Sequence, residues 1–455
     1  MMAPVISPES TRGRSTLPPS WPVWAATAAY PAWWALGLTT IIYPLLGLVL
    51  ASYLFRMRPL RLPRGWLILA MFLLVVTVSV VMLGVDAPGT AQQGGIGPYG
   101  SFGLRLLTYI SLSLLVLYVG NHDERSLPLR SVVAAVATLC TGVSLLGLAG
   151  TLAPGFTFRA PASYVLPEIL VGSGQVRLAQ VHDILGTAAP RPSAPFDYTN
   201  TWGEVVSMAL VWLVLYAVIS RNSRPWVIAV VGLTVIPIIA SLNRAVWIGI
   251  VLSIAYVAVR LAIRLRLAPV AALVAGVLVM GVVLTVTPAG ELIEARVEAG
   301  HSDQIRENLA ADAVRLADSS PILGYGSTRK TQGSYESIAI GPSADCEQCG
   351  ERVIGSTGQL WLLLVAQGWL GTGLYVAFFL HALWTYRRDH SPIGIAATAV
   401  ILLSLFYAYF YSAIGVPLAL ALLSVAVLWR SDQQRRRPPR SPLTEPRRVL
   451  GSTAA

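Results

Sequence analysis

Three arginines, Arg191, Arg244 and Arg306, stand apart from the chain's other basic residues, and they are the side chains best suited to chemistry. Arg244 sits in Ser241-Leu242-Asn243-Arg244, between two apolar runs with almost no loop around it. An ionisable group at that depth is costly and marks a substrate pathway or a buried partner. A guanidinium is a planar fork of donors that matches phosphate oxygens bidentately and keeps its charge where the dielectric is low. Several of them converging on one pocket suit a diphosphate whose lipid tail lies in the bilayer. Taken singly, Arg191 or Arg306 also reads as a side chain that snorkels to the interface or pairs with a loop carboxylate; for Arg244 the phosphate reading is preferred.

What must position these groups is a membrane bundle. Of 455 residues, 33 are Lys or Arg and 22 are Asp or Glu, so 12% are charged, while 55% are hydrophobic and mean hydropathy is +0.64. Soluble chains carry roughly 25% charge, so composition excludes a soluble globular enzyme, a disordered chain and a disulfide scaffold. The expected fold class is all-α, a polytopic integral membrane helical bundle. Spans of ~20 apolar residues read as 33–55, 66–86, 101–120, 131–153, 202–220, 225–241, 245–263, 268–287, 358–385, 391–410 and 413–429. The net charge of +11 does not indicate nucleic-acid binding, because the arginines fall in short clusters on alternate loops. That is the pattern of a cytoplasmic face.

Arg12 and Arg14 favour a cytoplasmic N-terminus, which a single span at 33–55 does not give. A hairpin over 21–55, broken by Pro22, Pro31 and Pro44, does, and twelve spans are preferred to eleven. The expected organisation is then a disordered cytoplasmic segment 1–20, transmembrane helices over 21–287 with an outer loop at 154–201, an extracytoplasmic loop 288–357, transmembrane helices over 358–430, and a basic, disordered cytoplasmic tail 431–455. The first 20 residues lack the apolar core of a cleavable signal.

The loop 288–357 holds 11 of the 22 carboxylates. Loops of that length are often functional. Within it, Ser302-Asp303-Gln304 caps a helix whose Ile305, Leu309, Ala313 and Leu316 share one face, with Arg306 at the rim. Pro321 stops that helix and Gly324-Tyr325-Gly326 makes a flexible turn. Cys346 and Cys349 form a Cys-x-x-Cys pair, and outside the cytoplasm two such thiols oxidise. A disulfide is preferred there to a zinc site, which wants four ligands; Cys140 lies within a span. Trp33, Trp34, Trp202 and Trp361 lie near span ends and read as an interfacial belt, with Trp361 the one best placed to stack on a sugar. Glu204 begins a span beside Asn200 and Trp202, and either pairs with an outer arginine or binds a sugar hydroxyl.

Four segments together resemble the O-antigen ligase and O-antigen polymerase-like superfamily of membrane glycosyltransferases, over roughly residues 180–385. Arg191 through Phe196 to Asn200 is similar to its Arg and Asn element before a span. Ser241-Leu242-Asn243-Arg244 resembles its Ser-x-x-Arg turn. Arg306, followed by Pro321-Ile322-Leu323-Gly324-Tyr325-Gly326, resembles its outer-loop Arg and Pro-x-x-Gly-x-Gly turn. Gly368-Trp369-Leu370-Gly371 matches its Gly-x-x-Gly. The resemblance implies transfer of a glycan from a polyprenyl diphosphate to an acceptor hydroxyl on the outer leaflet, without metal or other cofactor. Arg191, Arg244 and Arg306 would bind the diphosphate and stabilise it as it leaves, which agrees with placing cations where charge develops. Asn200, Asn243, Gly324, Gly326, Glu204 and Trp361 complete the expected substrate-binding set.

The chain departs from the family at one position. Where ligases carry a His ahead of the Gly-x-x-Gly, this sequence has Thr357-Gly358. Glu336, Asp345, Glu351 and His301 in the large loop, and His182 in the earlier one, are substitutes with usable pKa values. The expected function is polymerisation or ligation of polyprenyl-diphosphate-linked oligosaccharide in cell-surface polysaccharide synthesis, at the cell membrane. Partners are that donor, a glycan or lipid-glycan acceptor, and membrane lipids. The rival readings are a secondary transporter and a non-catalytic partner of an envelope-synthesis complex. Against transport, the ionisable groups sit at span ends and the large loop has no counterpart in the other half.

Overall fold

In hydrocarbon only a helix satisfies every backbone donor and acceptor from within its own segment, so uncharged apolar runs of this length fold as helices. The computed structural model describes residues 17–171, 174–183, 188–271, 273–276, 301–331 and 353–436. Its helices are α1 (Trp21–Ala26), α2 (Tyr30–Leu36), α3 (Ile42–Arg56), α4 (Trp66–Val78), α5 (Gly97–Asn121), α6 (Leu129–Leu152), the single turn α7 (Glu168–Val171), α8 (Thr199–Ile219), α9 (Arg224–Ala240), α10 (Arg244–Ala262), α11 (His301–Ser319), α12 (Gln359–Tyr386), α13 (Pro392–Tyr407) and α14 (Val416–Arg436). Among the described residues six helices are long and apolar enough to cross a membrane, and α3, α13 and Trp66–Met82 are shorter apolar helices. The chain is an all-α polytopic membrane protein. Most of the span expected over 268–287, residues 1–16 and residues 437–455 lie outside the described residues.

The helices alternate in direction between two ends. Tyr118 near the end of α5 donates to Pro19 O, and Trp24 in α1 donates to Ser131 near the start of α6 at 3.1 Å. Trp34 in α2, by contrast, packs with Leu146 and Ala149 near the end of α6. The chain thus passes along α6 as two short helices, each begun by a proline in its first turn, and returns as α3 to Arg56. Small residues let helices approach. A Cβ on Gly147 of α6 would stand 2.5 Å from the ring of Trp202 on α8, and one on Gly120 of α5 would stand 2.0 Å from the ring of Trp429 on α14.

One end gathers the arginine clusters. Arg430 pairs with Glu124 at 2.6 Å, Arg435 with Asp389 at 2.6 Å, and Arg130 donates to Ser220 at 3.1 Å. The opposite end carries three two-stranded antiparallel ribbons that sequence patterning does not announce: β1 (Thr157–Arg159) with β2 (Gln175–Arg177), β3 (Ala179–Asp183) with β4 (Ala188–Pro192), and β5 (Arg329–Lys330) with β6 (Val353–Ile354).

The interfacial-belt reading fails for two tryptophans. Trp202 is fully buried and donates to Val143 O at 3.0 Å. Trp34 is 7% exposed, inside a small core with Ala160, Val176, Leu178 and Ala194. A tryptophan at a span end meets protein rather than headgroups when a ribbon or neighbouring helix covers that end.

Candidate functional site

The Ser241–Arg244 turn is built by capping. α9 ends at Ala240, Leu242 takes a positive φ of 48°, and Asn243 caps α10 by accepting from Val246 N at 3.4 Å. A left-handed leucine is strained and persists only where its surroundings dictate it. The Asn243 side chain supplies that: it is 3% exposed, donates to Asn200 Oδ1 at 3.3 Å, and accepts from the Tyr411 hydroxyl. Asn200 and Asn243, expected to meet substrate, therefore bond to each other and organise the turn. Arg244 follows as the first residue of α10, half-buried. A helix N-terminus is itself the positive end of the helix dipole.

Ribbon β3–β4 delivers the second arginine. Arg191 is 8% exposed and its Nε donates to Ser241 O at 2.5 Å, so the ribbon is fastened to the turn. The third comes from α11, whose Leu309, Ala313 and Leu316 are buried against Ala87, Tyr325, Ile354 and Val365. That contact holds Arg306 half-buried at the rim. Tyr411, in the loop after α13, reports the convergence. Burial pushes its phenol well above the ordinary value, while Arg306, the Asn243 bond and Arg191 pull it down. One buried hydroxyl thus lies within electrostatic range of two of the three arginines and hydrogen-bonds the residue preceding the third.

Glu204 lies one turn along α8 from Asn200. It is fully buried, and neither carboxyl oxygen has a hydrogen-bond partner. Of the two readings for this residue, the pairing with an outer arginine is not formed. Glu204 is instead within electrostatic range of Tyr375, Tyr407 and Tyr411. A carboxyl buried without partners costs several kcal/mol unless it is hydrated, neutral or engaged by a ligand.

Thr357 and Gly358 precede α12. The Thr357 hydroxyl is buried without a partner. A Cβ on Gly358 would meet Tyr409 O at 2.5 Å. The first amides of α12 are taken up by the Tyr411 loop, Gln359 N donating to Tyr411 O at 2.8 Å and Leu360 N to Ala408 O at 2.9 Å. Gln359 is fully buried, donates to the Tyr109 hydroxyl at 2.8 Å and accepts from Ala413 N at 3.1 Å. Trp361 donates to Tyr409 O at 2.8 Å and meets the Tyr409 ring edge-on at 5.1 Å. Its ring is oriented by that loop.

The turn after α11 is wedged into a break in α12. Gly368 has φ 64° and ψ −167° inside that helix. Tyr325 N donates to Val365 O at 2.7 Å, Gly326 N to Ala366 O at 2.9 Å, and Leu370 N to Pro321 O at 3.1 Å. The turn therefore uses backbone groups that the broken helix leaves open, the condition for irregular backbone at membrane depth. Gly324 and Gly326 have φ of 60° and 72°, and a Cβ on Gly324 would stand 2.5 Å from Gln367 N. They are buried in this packing and present no surface to a substrate, contrary to the expectation for them.

Several residues of this end are not singled out by the sequence. Tyr411 and Gln359 sit among aromatic and apolar neighbours with no motif. Arg105 reaches Gly326 O. Arg329 is 1% exposed and donates to Gln93, Met82 O, Val85 O and Tyr325 O, locking the loop after α4 to the turn. Desolvation raises the carboxyl of Asp197, in the loop between Arg191 and Asn200, above its ordinary range. Glu336, Asp345, Glu351, Cys346 and Cys349 lie outside the described residues, as do the side chains of His182 and His301. Cys140 is buried in α6.

Residues 229–345 match the family model described as O-antigen ligase, a stretch that contains the Ser241–Arg244 turn, Arg306 and the turn at 321–326. No curated protein matches the chain. The chain is a multi-pass membrane protein whose residues 229–345 are similar to the O-antigen ligase family.

Proposed function

We propose that this protein transfers a glycan from a polyprenyl diphosphate to an acceptor hydroxyl on the outer face of the membrane, polymerising or ligating lipid-linked oligosaccharide. The observation that carries the reading is the gathering of Arg191, the Ser241–Arg244 turn and Arg306 around Tyr411 at one end of the bundle. Arg191, Arg244 and Arg306 grip the diphosphate and offset the negative charge that grows on it as the glycosidic carbon–oxygen bond breaks. The acceptor oxygen forms the new bond to that carbon, and its proton passes to the departing diphosphate. Thr357 occupies the position of the family's base but is a poor one, so most of the rate comes from stabilising the leaving group. Glu204 and Trp361 line the sugar side. The arginine-clustered end faces the cytoplasm, by the positive-inside rule, which puts the candidate site outside.

Deleting the gene and analysing lipid-linked glycan tests this directly. Accumulated single repeat units identify a polymerase, and finished polymer retained on lipid identifies a ligase. An unchanged glycan profile with lost uptake of a small solute overturns the reading in favour of transport.

A further inference from the structure

The end of the bundle opposite the candidate site carries a groove of about 600 Å³ on the outer surface of α12, lined by Leu380, His381, Leu383, Trp384 and Arg387. Its two halves differ in chemistry. Leu380 and Trp384 are 51% and 67% exposed, an apolar wall facing outward from the bundle. Arg387 forms the other half: its guanidinium lies over the Trp384 ring at 3.9 Å and donates to Trp384 O at 2.6 Å. This bends an otherwise free side chain back over the groove. The loop before α4 closes on the groove: Gly65 packs so tightly on the His381 ring that a Cβ there would stand 2.5 Å from it, and the exposed Arg64 directly precedes it. The nearest carboxylate along the chain, Asp389, is committed to Arg435. The groove therefore joins a surplus of positive charge to a wall fit for hydrocarbon.

We propose that this groove is a binding site for an anionic phospholipid, with the headgroup phosphate held by Arg387 and Arg64 and one acyl chain laid along Leu380, Leu383 and Trp384. Charge complementarity selects the occupant. A basic pocket between helices suits an anionic headgroup, each arginine near the surface contributing about fivefold in affinity, and the amphipathic indole sits at headgroup level. A free phosphate would use the arginines and leave the apolar wall bare.

The test uses the purified full-length protein in mild detergent, titrated with phosphatidylglycerol or with phosphatidylcholine and followed by native mass spectrometry. The wild type retains one phosphatidylglycerol in preference to phosphatidylcholine by tenfold or more. The Arg64→Ala, Arg387→Ala double variant loses that preference, and Trp384→Ala weakens retention of both lipids. Thermal melting of the lipid-free variants checks that each is folded. Equal phosphatidylglycerol preference in wild type and double variant overturns the proposal. Displacement of the lipid by millimolar inorganic phosphate also overturns it, since the arginines alone would then define the site. The readout involves no glycan transfer, so it stands or falls separately from the proposed function.

Discussion

The two ends of the bundle hold several of their arginines by different partners. At the clustered end, Arg430 and Arg435 meet the carboxylates Glu124 and Asp389, which ties the helices together. At the other end, Arg191 bonds Ser241 O, Arg105 bonds Gly326 O and Arg329 bonds four main-chain carbonyls besides Gln93. A carbonyl holds a guanidinium in place without neutralising it. The carboxylate pairs fasten helix to helix at one end, while backbone carbonyls orient these arginines at the other.

The sharpest way to break this contrast is Arg244→Ala. Removing one cation that stabilises a developing anion costs about 10²–10³ in rate, and the loss here should be at least that large with insertion and melting temperature unchanged. Arg244→Lys, which keeps the charge but not the fork, should recover only part of it. Wild-type product from Arg244→Ala, measured by glycan analysis, would erase the distinction between the ends. Next in size is Gly368→Ala. A side chain at φ 64° is strained and its Cβ would meet Ser320 O at 2.5 Å, so the variant should lose about 1–3 kcal/mol of stability, read as a lower melting temperature. It should also lose turnover, because the turn behind Arg306 is displaced.

Asp389→Asn gives the smallest effect and probes the fastening end alone. Burial works to raise the Asp389 carboxyl, but bonds from Arg435 and Ser391 outweigh it and hold its pKa below the ordinary 3.8. A depressed carboxyl contributes stability that is present above the unfolded pKa and lost as pH falls through the folded one. Acid sensitivity from this pair should therefore appear below about pH 4. The Asn variant should melt slightly lower at neutral pH, with a shallower acid dependence and unaltered transfer. A fall in transfer would mean that the ends are coupled.

Much of this architecture is legible in the residues. The apolar runs from 101 to 153, from 202 to 263 and from 358 to 410 give helices within about four residues of their observed limits, because length and charge placement are one-dimensional properties; the first and last runs are less exact. The amphipathic face of α11 and its stop before Pro321 are equally plain. The site's assembly is less so. Nothing in Ala179–Asp183 alternates strongly enough to reveal the ribbon that carries Arg191, and Tyr411 stands in an aromatic run where any member would serve equally well. Gly324 and Gly326 are visible as glycines, but whether they free space for a ligand or for another backbone depends on Gly368, more than forty residues away. Trp202 reads as interfacial until its neighbour Gly147 is known to receive it.

The wedge at Gly368 also has a mechanical consequence. Three main-chain bonds pin the turn after α11 to the two halves of α12, so Arg306 and the Thr357–Trp361 segment share one lever. A cargo that pulls on that arginine from outside must also tilt the upper half of α12, and with it the loop bearing Tyr411. Recognition of one end of a long lipid-linked molecule would then reshape the place where its other end reacts.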